Sequence, residues 1–268
     1  MKDKVVIITG ASSGIGKALA YEMASRGARV VIAARTSDVL KTIEQDLLSK
    51  DKSVMAVTAD VSREEDCRNL INATVQKFGR IDVLINNAGI SMRAIFADAD
   101  LAVIARLMNI NFWGTVYCTK FALPYLLESG GSVVGVSSIA GFKGLPGRTG
   151  YSASKFAIHG FLETLRIENL KSGLHVMIAC PGFTSSNIRK TALAADGSLQ
   201  GESPRDEGSM MSAEEVAKRI TRGVISRKKI LIMTTQGKMT VLLNKFFPFF
   251  MDKLVYNHMA KEPDSPFK

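Results

Sequence analysis

Seven short apolar runs punctuate the chain, at Val5 to Ile8, Val30 to Ala33, Val54 to Val57, Val83 to Ile85, Ser132 to Val136, Val176 to Ala179 and Ile230 to Met233. Each is rich in β-branched residues and nearly free of polar positions, the pattern of a strand covered on both faces. Between them, hydrophobic positions recur with helical spacing at Ile15 to Ser25, Ser37 to Ser49, Glu64 to Phe78, a long stretch from about Leu101 to Leu127, Tyr151 to Ser172 and Ala213 to Ser226. This alternation predicts an α/β fold, a doubly wound parallel sheet of seven strands with helices on both faces and right-handed crossovers. Ligands of such sheets bind beyond the carboxyl ends of the strands.

No linker-like or repetitive stretch divides the 268 residues, so one domain is expected over 1–268. A turn-rich segment at about 183–211, with apolar Phe183, Ile188, Leu193, Leu199, Met210 and Met211, is placed to close over substrate as a lid. An amphipathic helical tail follows at about 237–260, where Pro248 kinks or restarts the helix. Two accounts of the tail stay open. Its apolar stripe packs on the pocket or on a partner subunit, the commoner fate, or Phe246, Phe247, Phe249 and Phe250 with flanking lysines sit in a bilayer interface.

Composition narrows the setting. Cys67, Cys118 and Cys180 are odd in number and lack a C-x-x-C spacing, which argues against a disulfide framework or a zinc site and for a reduced, cytoplasmic location. The charged start Met1 to Lys4 leads straight into an apolar run, which speaks against a signal peptide, and no apolar run reaches the roughly 20 residues of a spanning helix. The net charge of +10 is scattered without an aromatic-interleaved patch, so a solvated basic surface is expected, not a nucleic-acid site. Ala213 to Lys268 holds 11 Lys or Arg against 5 Asp or Glu, a balance of +6 that concentrates charge in the last fifth.

The ends of the apolar runs carry the candidate chemistry. TGASSGIG, Thr9 to Gly16, stands between the first run and the first helical pattern. Gly10, Gly14 and Gly16 allow a sharp turn, close approach of a pyrophosphate and tight helix packing, while Ser12, Ser13 and Ile15 complete a cradle at a helix N-terminus. After the second run, Ala34 replaces the acid usual in an NAD site and Arg35, with Thr36, Ser37 and Ser12 nearby, suits the 2′-phosphate of NADP(H). Asp60 and Val61 are candidates to hold adenine, although Asp60 suits a helix cap equally. Asn86, Asn87, Ala88 and Gly89 offer small and amide residues along which a dinucleotide can pass. Tyr151 and Lys155, four residues apart, share one helix face, and Ser138 stands thirteen residues before the tyrosine at a strand end.

TGASSGIG, NNAG, Asn111 followed by Gly114, SSIAG, YSASK and Pro181-Gly182 occur in the order and spacing of the short-chain dehydrogenase/reductase family, which the chain resembles from Val5 to about Ile232. The tail and TALAADGS (Thr191 to Ser198) look like the branch called dehydrogenase/reductase member 7B, with more distant likeness to 11β-hydroxysteroid dehydrogenase and 3-ketoacyl-carrier-protein reductases. The resemblance implies a Rossmann-fold NADPH-dependent carbonyl reductase acting on an apolar, lipid- or steroid-like ketone or aldehyde. Tyr151 would be the general acid, and Lys155 would lower its pKa and hold the nicotinamide ribose. Ser138 would polarise the carbonyl, and Asn111, in preference to Asn109, would hold a water that returns protons to Lys155. Pro181 and Gly182 would cover the nicotinamide, and Thr184 would donate to its carboxamide. It also implies a homodimer or homotetramer paired through the helices at Leu101 to Leu127 and Tyr151 to Ser172. A non-catalytic NADPH-binding scaffold, a 3-ketoacyl-type reductase and an NAD-dependent alcohol dehydrogenase are the alternatives.

Overall fold

The computed structural model describes residues 1–202, 208 and 210–267; part of the expected lid, 203–207 and 209, lies outside them. All seven apolar runs form strands: β1 Val5–Thr9, β2 Arg29–Ala34, β3 Val54–Thr58, β4 Val83–Asn86, β5 Ser132–Val136, β6 His175–Cys180 and β7 Ile230–Ile232. They make one sheet in the order β3-β2-β1-β4-β5-β6-β7, parallel at every pairing. The chain winds outward in both directions from β1 and β4, so the connections that leave these two strands lie on opposite faces and a crevice opens at their carboxyl ends.

Burial on both faces holds for the inner strands and fails at the edges. In β3 only Val54 is buried, and in β7 Ile230 is exposed and Leu231 and Ile232 are half-buried. An outermost strand has one neighbour, and its apolar residues are only partly roofed by a helix. One face of the sheet is covered by α1 Gly14–Ser25, α2 Ser37–Leu48 and α7 Ala213–Ile225, whose Leu19, Met23, Leu40, Val216 and Ile220 meet the strands. The other face is covered by α3 Glu64–Phe78, α5 Gly114–Glu128 and α6 Thr149–Glu168 through Leu70, Cys118, Leu126, Ile158 and Leu162.

The long helix expected from Leu101 is not uniform. α4 Leu101–Leu107 passes into a π-helical turn, Met108–Trp113, before α5 begins, and the Gly114 N–H reaches back five residues to the Asn109 carbonyl. The wider turn displaces side chains by one position, and Asn111 lies inside it. At the other end of the chain Pro248 restarts the helix. α8 Thr235–Phe246 is capped by the Thr234 hydroxyl, and α9 Pro248–Ala260 begins on the proline, where a missing N–H costs nothing. Asn244 Nδ2 donates to the Phe142 carbonyl at 3.1 Å and Lys143 pairs with Asp252 at 2.5 Å, tying both helices to the segment after β5. Among the described residues no helix is long and apolar enough to cross a membrane.

Candidate active site

A cleft of about 1830 Å³ runs along the carboxyl ends of the strands. Its floor is the glycine turn after β1. Gly10 has φ +65°, and a Cβ there would lie 2.7 Å from the Ala88 Cα, so the turn presses directly on the NNAG segment. Gly16 does not border the cleft: a Cβ there would meet the Gly10 carbonyl oxygen at 2.2 Å, so its smallness lets α1 pack against the turn. Asn87 holds the turn in place. Its amide donates to the carbonyls of Thr9 at 2.9 Å and Gly10 at 3.2 Å, while Thr9 Oγ1 accepts the N–H groups of Asn87 and Ala88 at 3.1 Å each. Both amide hydrogens of Asn87 are thus spent on the backbone, and the residue, which borders the cleft, can meet a cofactor only through its amide oxygen or its small neighbours.

Ser12, Ser13, Gly14 and Ile15 border the cleft beside Arg35 and Thr36. Ser13 and Thr36 stand at the N-caps of α1 and α2, yet neither side chain caps its helix. Two hydroxyls and two sets of helix N–H groups thus remain available to an anion. Ala34 is buried and Arg35 exposed, so the guanidinium stands at the cleft mouth. Asp60 and Val61 also border the cleft, but Asp60 Oδ1 accepts from Ser62 N at 3.0 Å and Ser62 Oγ at 2.7 Å, the turn-closing use that competes with holding adenine.

Tyr151, Lys155 and Ser138 converge on the same cleft, together with Ala88, Gly89, Pro181, Gly182 and Thr184. Lys155 is buried on α6, and its Nζ donates to the Val136 carbonyl at 2.9 Å and lies 5.6 Å from the Tyr151 ring centre. Gly89 keeps this corner open, since a Cβ there would stand 3.5 Å from Lys155 Nζ. Burial pulls the Lys155 ammonium down to about 8. The expected lowering of the Tyr151 pKa by Lys155 is not what the site produces. Burial pushes the phenol up, and the groups that oppose it are Ser138, by hydrogen bond, and the Arg148 charge. Lys155 directs a hydrogen bond to β5 and makes none to the phenol. Ser138 also accepts the Ala140 N–H at 3.2 Å and so caps a short 3₁₀ turn, Ile139–Gly141.

Two further expectations change on the geometry. Asn111 is fully buried and does not border the cleft; its Oδ1 accepts the Ile90 N–H at 2.8 Å, and its Nδ2 donates to the Ile90 carbonyl at 3.0 Å and to Ser154 Oγ at 2.9 Å. Both its amide hydrogens are used, so it fixes the backbone after NNAG to α6 and could meet a water only as an acceptor. Thr184 Oγ1 already donates to the Gly182 carbonyl at 3.1 Å, which shapes the turn after β6.

All six apolar lid residues border the cleft, and Leu193 is pinned by main-chain bonds to Ser91 at 2.9 Å and Arg93 at 2.8 Å. The tail closes the same space with Met239, Leu243, Met251, Leu254 and Met259. Its inner face packs as expected, while Phe246, Phe247, Phe249 and Phe250 remain exposed, Phe249 at 84%. Two residues that the sequence reading does not single out support the site. His159, one turn after Lys155, meets Ser137 Oγ at 2.7 Å beside Ser138, and burial pulls its pKa down to about 4, so it is neutral near pH 7. Its spacing from Lys155 was the available signal. Glu262 joins Arg148 at 2.9 Å and Arg93 at 3.7 Å, a contact with no local sequence signal.

The comparisons with known proteins agree with this architecture. The family model described as short chain dehydrogenase matches residues 4–197. An 11-beta-hydroxysteroid dehydrogenase A of Sesamum indicum is 38% identical over 97% of this chain and 78% of that protein. An 11-beta-hydroxysteroid dehydrogenase-like 4A of Arabidopsis thaliana is 41% identical over 84% of this chain and 74% of that protein. Among solved structures, a short chain dehydrogenase/reductase from Burkholderia phymatum in complex with NAD superposes with a TM-score of 0.84 at 23% identity, covering 93% of this chain and 95% of that one. An alcohol dehydrogenase from Thermococcus sibiricus complexed with 5-hydroxy-NADP gives 0.77 at 24% identity over 87% and 96%.

Proposed function

The chain belongs to the short-chain dehydrogenase/reductase family of oxidoreductases, and within it we propose an NADPH-dependent reductase of apolar, steroid-like ketones. The observation that carries the reading is the convergence of Ser138, Tyr151 and Lys155 on the cleft whose other end is the glycine turn and Arg35. The cleft fits a dinucleotide: its turn admits no Cβ at Gly10, its two helix N-caps leave hydroxyls open, and an exposed arginine stands where an acid would repel a 2′-phosphate. Bound NADPH supplies the hydride that converts the ketone carbon to an alcohol.

The residues of the chain do the rest. Tyr151, a phenol that is protonated at neutral pH and that burial makes less acidic still, gives its proton to the carbonyl oxygen as negative charge develops there. Ser138 Oγ donates to the same oxygen and stabilises that charge. Lys155 anchors on Val136 with one hydrogen and offers the others to ribose hydroxyls, and near its pKa of about 8 it exchanges protons readily. Asn111 positions the Ile90 backbone and Ser154, and acts through them. The lid and the inner faces of α8 and α9 supply an apolar chamber, in keeping with the steroid named for the relatives. A scaffold would not require the acid–base group, and an NAD-dependent oxidiser would favour an acid at position 34. The test is NADPH oxidation with ketones graded by chain length and ring number. Turnover rising toward fused-ring ketones is expected; turnover confined to short ketones, or dependent on NADH, overturns the reading.

Two surfaces extend the proposal. The exposed phenylalanines of α8 and α9, flanked by Lys245 and Lys253, suit peripheral contact with an anionic bilayer, from which apolar substrates would pass to the chamber. Exposed Trp113, at the end of the π-helical turn before α5, and Phe156 and Ile167 on α6 suit pairing of two copies, and a monomeric mass by light scattering would remove that assignment.

A further inference from the structure

We infer that Glu262, beyond α9, is a positioning residue of the active site, which buckles the tail and the lid to the start of the catalytic helix and sets the charge felt by Tyr151. This rests on the role of Tyr151 proposed above. The Glu262 side chain is 3% exposed and those of Arg148 and Arg93 about a tenth. Oε2 lies 2.9 Å from the Arg148 guanidinium and 3.7 Å from Arg93 Nε, and Oε1 lies 3.2 Å from Arg148. A carboxylate taken this far out of water is retained only where its charged partners and hydrogen bonds offset the desolvation, and removing one member is costly.

Each arginine leads to a different wall of the cleft. Arg148 is the N-cap of α6, three residues before Tyr151, and its carbonyl accepts the Ser152 N–H at 2.8 Å. Arg93 sits in the segment that pairs with Leu193 of the lid, and its guanidinium also donates to the Pro263 carbonyl. The tail beyond Glu262 lies on Gly147, where a Cβ would meet Phe267 and Pro266 at 3.4 Å. One carboxylate thus links the catalytic helix, the segment that holds Leu193 of the lid, and the tail.

The electrostatic consequence has a definite sign. The charged or titratable groups that act on Tyr151 are Arg148 at the start of α6 and Cys180 at the end of β6, with Ser138, just after β5, as hydrogen-bond partner; the Lys155 ammonium also faces the ring, 5.6 Å from its centre. The Arg148 charge favours the phenolate. Glu262 lies against that charge and offsets it, so removing the carboxylate makes the surroundings more positive and the phenol more acidic, whatever else touches Arg148.

The test is a phenolate absorbance titration of the full chain with Tyr151→Phe as the blank, read beside the alkaline limb of NADPH-dependent ketone reduction. Glu262→Gln should move both to lower pH, by roughly 0.5 to 1 unit. Arg148→Gln should move both upward, and the double variant, which removes both charges and guards against failure of either single variant to fold, should return near the wild type. Glu262→Asp, which keeps the charge, should keep the wild-type limb. Shifts of the same sign in the two single variants, or no shift in a folded Glu262→Gln protein, would overturn the inference. Turnover that survives Tyr151→Phe would instead overturn the mechanism, and the absorbance titration would still report on Glu262.

Discussion

The two ends of the cleft are built by different means. At the cofactor end, Gly10, Gly16, Thr9 and Asn87 interlock within two short segments, main chain against main chain, with a Cβ excluded at 2.2 Å and 2.7 Å. At the substrate end, the wall is made of side chains from the lid, α8, α9 and the residues after them, joined over long sequence separations by pairs such as Arg148–Glu262 and Lys143–Asp252. The first construction tolerates almost no change of residue, since backbone cannot retreat from an added methyl group. The second tolerates exchange of one apolar side chain for another, which lets one catalytic centre serve differently shaped substrates. Chemistry and cofactor choice should respond sharply to single substitutions, and the cover should respond through substrate range.

The largest effect is expected at the junction of the two ends. Tyr151→Phe removes the only phenol among the described residues that line the cleft and should lower turnover about 10²- to 10⁴-fold. NADPH affinity, measured by fluorescence titration, should stay within about twofold, because the cofactor end is untouched. A parallel loss of binding would show that the tyrosine belongs to the rigid half.

Next in size is the pH dependence of stability set by Lys155. Its pKa falls from 10.5 to about 8 on folding, chiefly through burial. Between those values the unfolded chain holds more protons than the folded one, so this group makes the protein more stable as pH rises through the window. The gain is on the order of 3 kcal/mol from the size of the shift. The Lys155 charge also acts on Cys180, but the folded thiol, at about 12, lies above the window and Lys155→Met pushes it only higher, so within the window the difference between the two denaturation profiles reports chiefly on the lysine. Parallel profiles from pH 8 to 10.5 would mean that Lys155 is not desolvated.

These residues were legible before any coordinates because they lie in local patterns: a glycine turn after a strand, a tyrosine and lysine one helical turn apart, and seven apolar runs whose limits agree with the strands to within one residue. What stayed hidden depends on partners far along the chain. Nothing near Asn111 announces that the π-helical turn aims it at Ile90 and Ser154, or that Asn87 spends its amide on Thr9 and Gly10. Glu262 reads as one more charge in a basic tail until the fold sets it between two arginines. The direction of the Tyr151 shift is hidden from the sequence for the same reason, since burial depends on the assembled cover and not on the spacing of Tyr151 and Lys155.

Arg35 sharpens the contrast at a smaller scale. Arg35→Ala should weaken NADPH by about 1.5 to 3 kcal/mol, the worth of a hydrogen bond to a charged group, and leave NADH nearly unaffected. Competition titrations with both cofactors measure the ratio. Equal losses would mean that the guanidinium touches the shared part of the dinucleotide and that the preference for phosphate lies elsewhere.

The smallest effect on stability is expected on the outer face of the cover. Phe249 is 84% exposed, so Phe249→Ser removes little buried area and should change the unfolding free energy by no more than about 0.5 kcal/mol. Its value lies in what it separates. If the face only screens the chamber, replacing Phe246, Phe247, Phe249 and Phe250 together by serine should leave vesicle flotation unchanged. If the face meets a bilayer, the same protein should lose most of its flotation with anionic vesicles while Met251 and Met259, on the buried side of α9, keep the chamber and its turnover of water-soluble ketones intact. Loss of turnover without any change in flotation would place the phenylalanines in the cover's packing and remove the bilayer from the account.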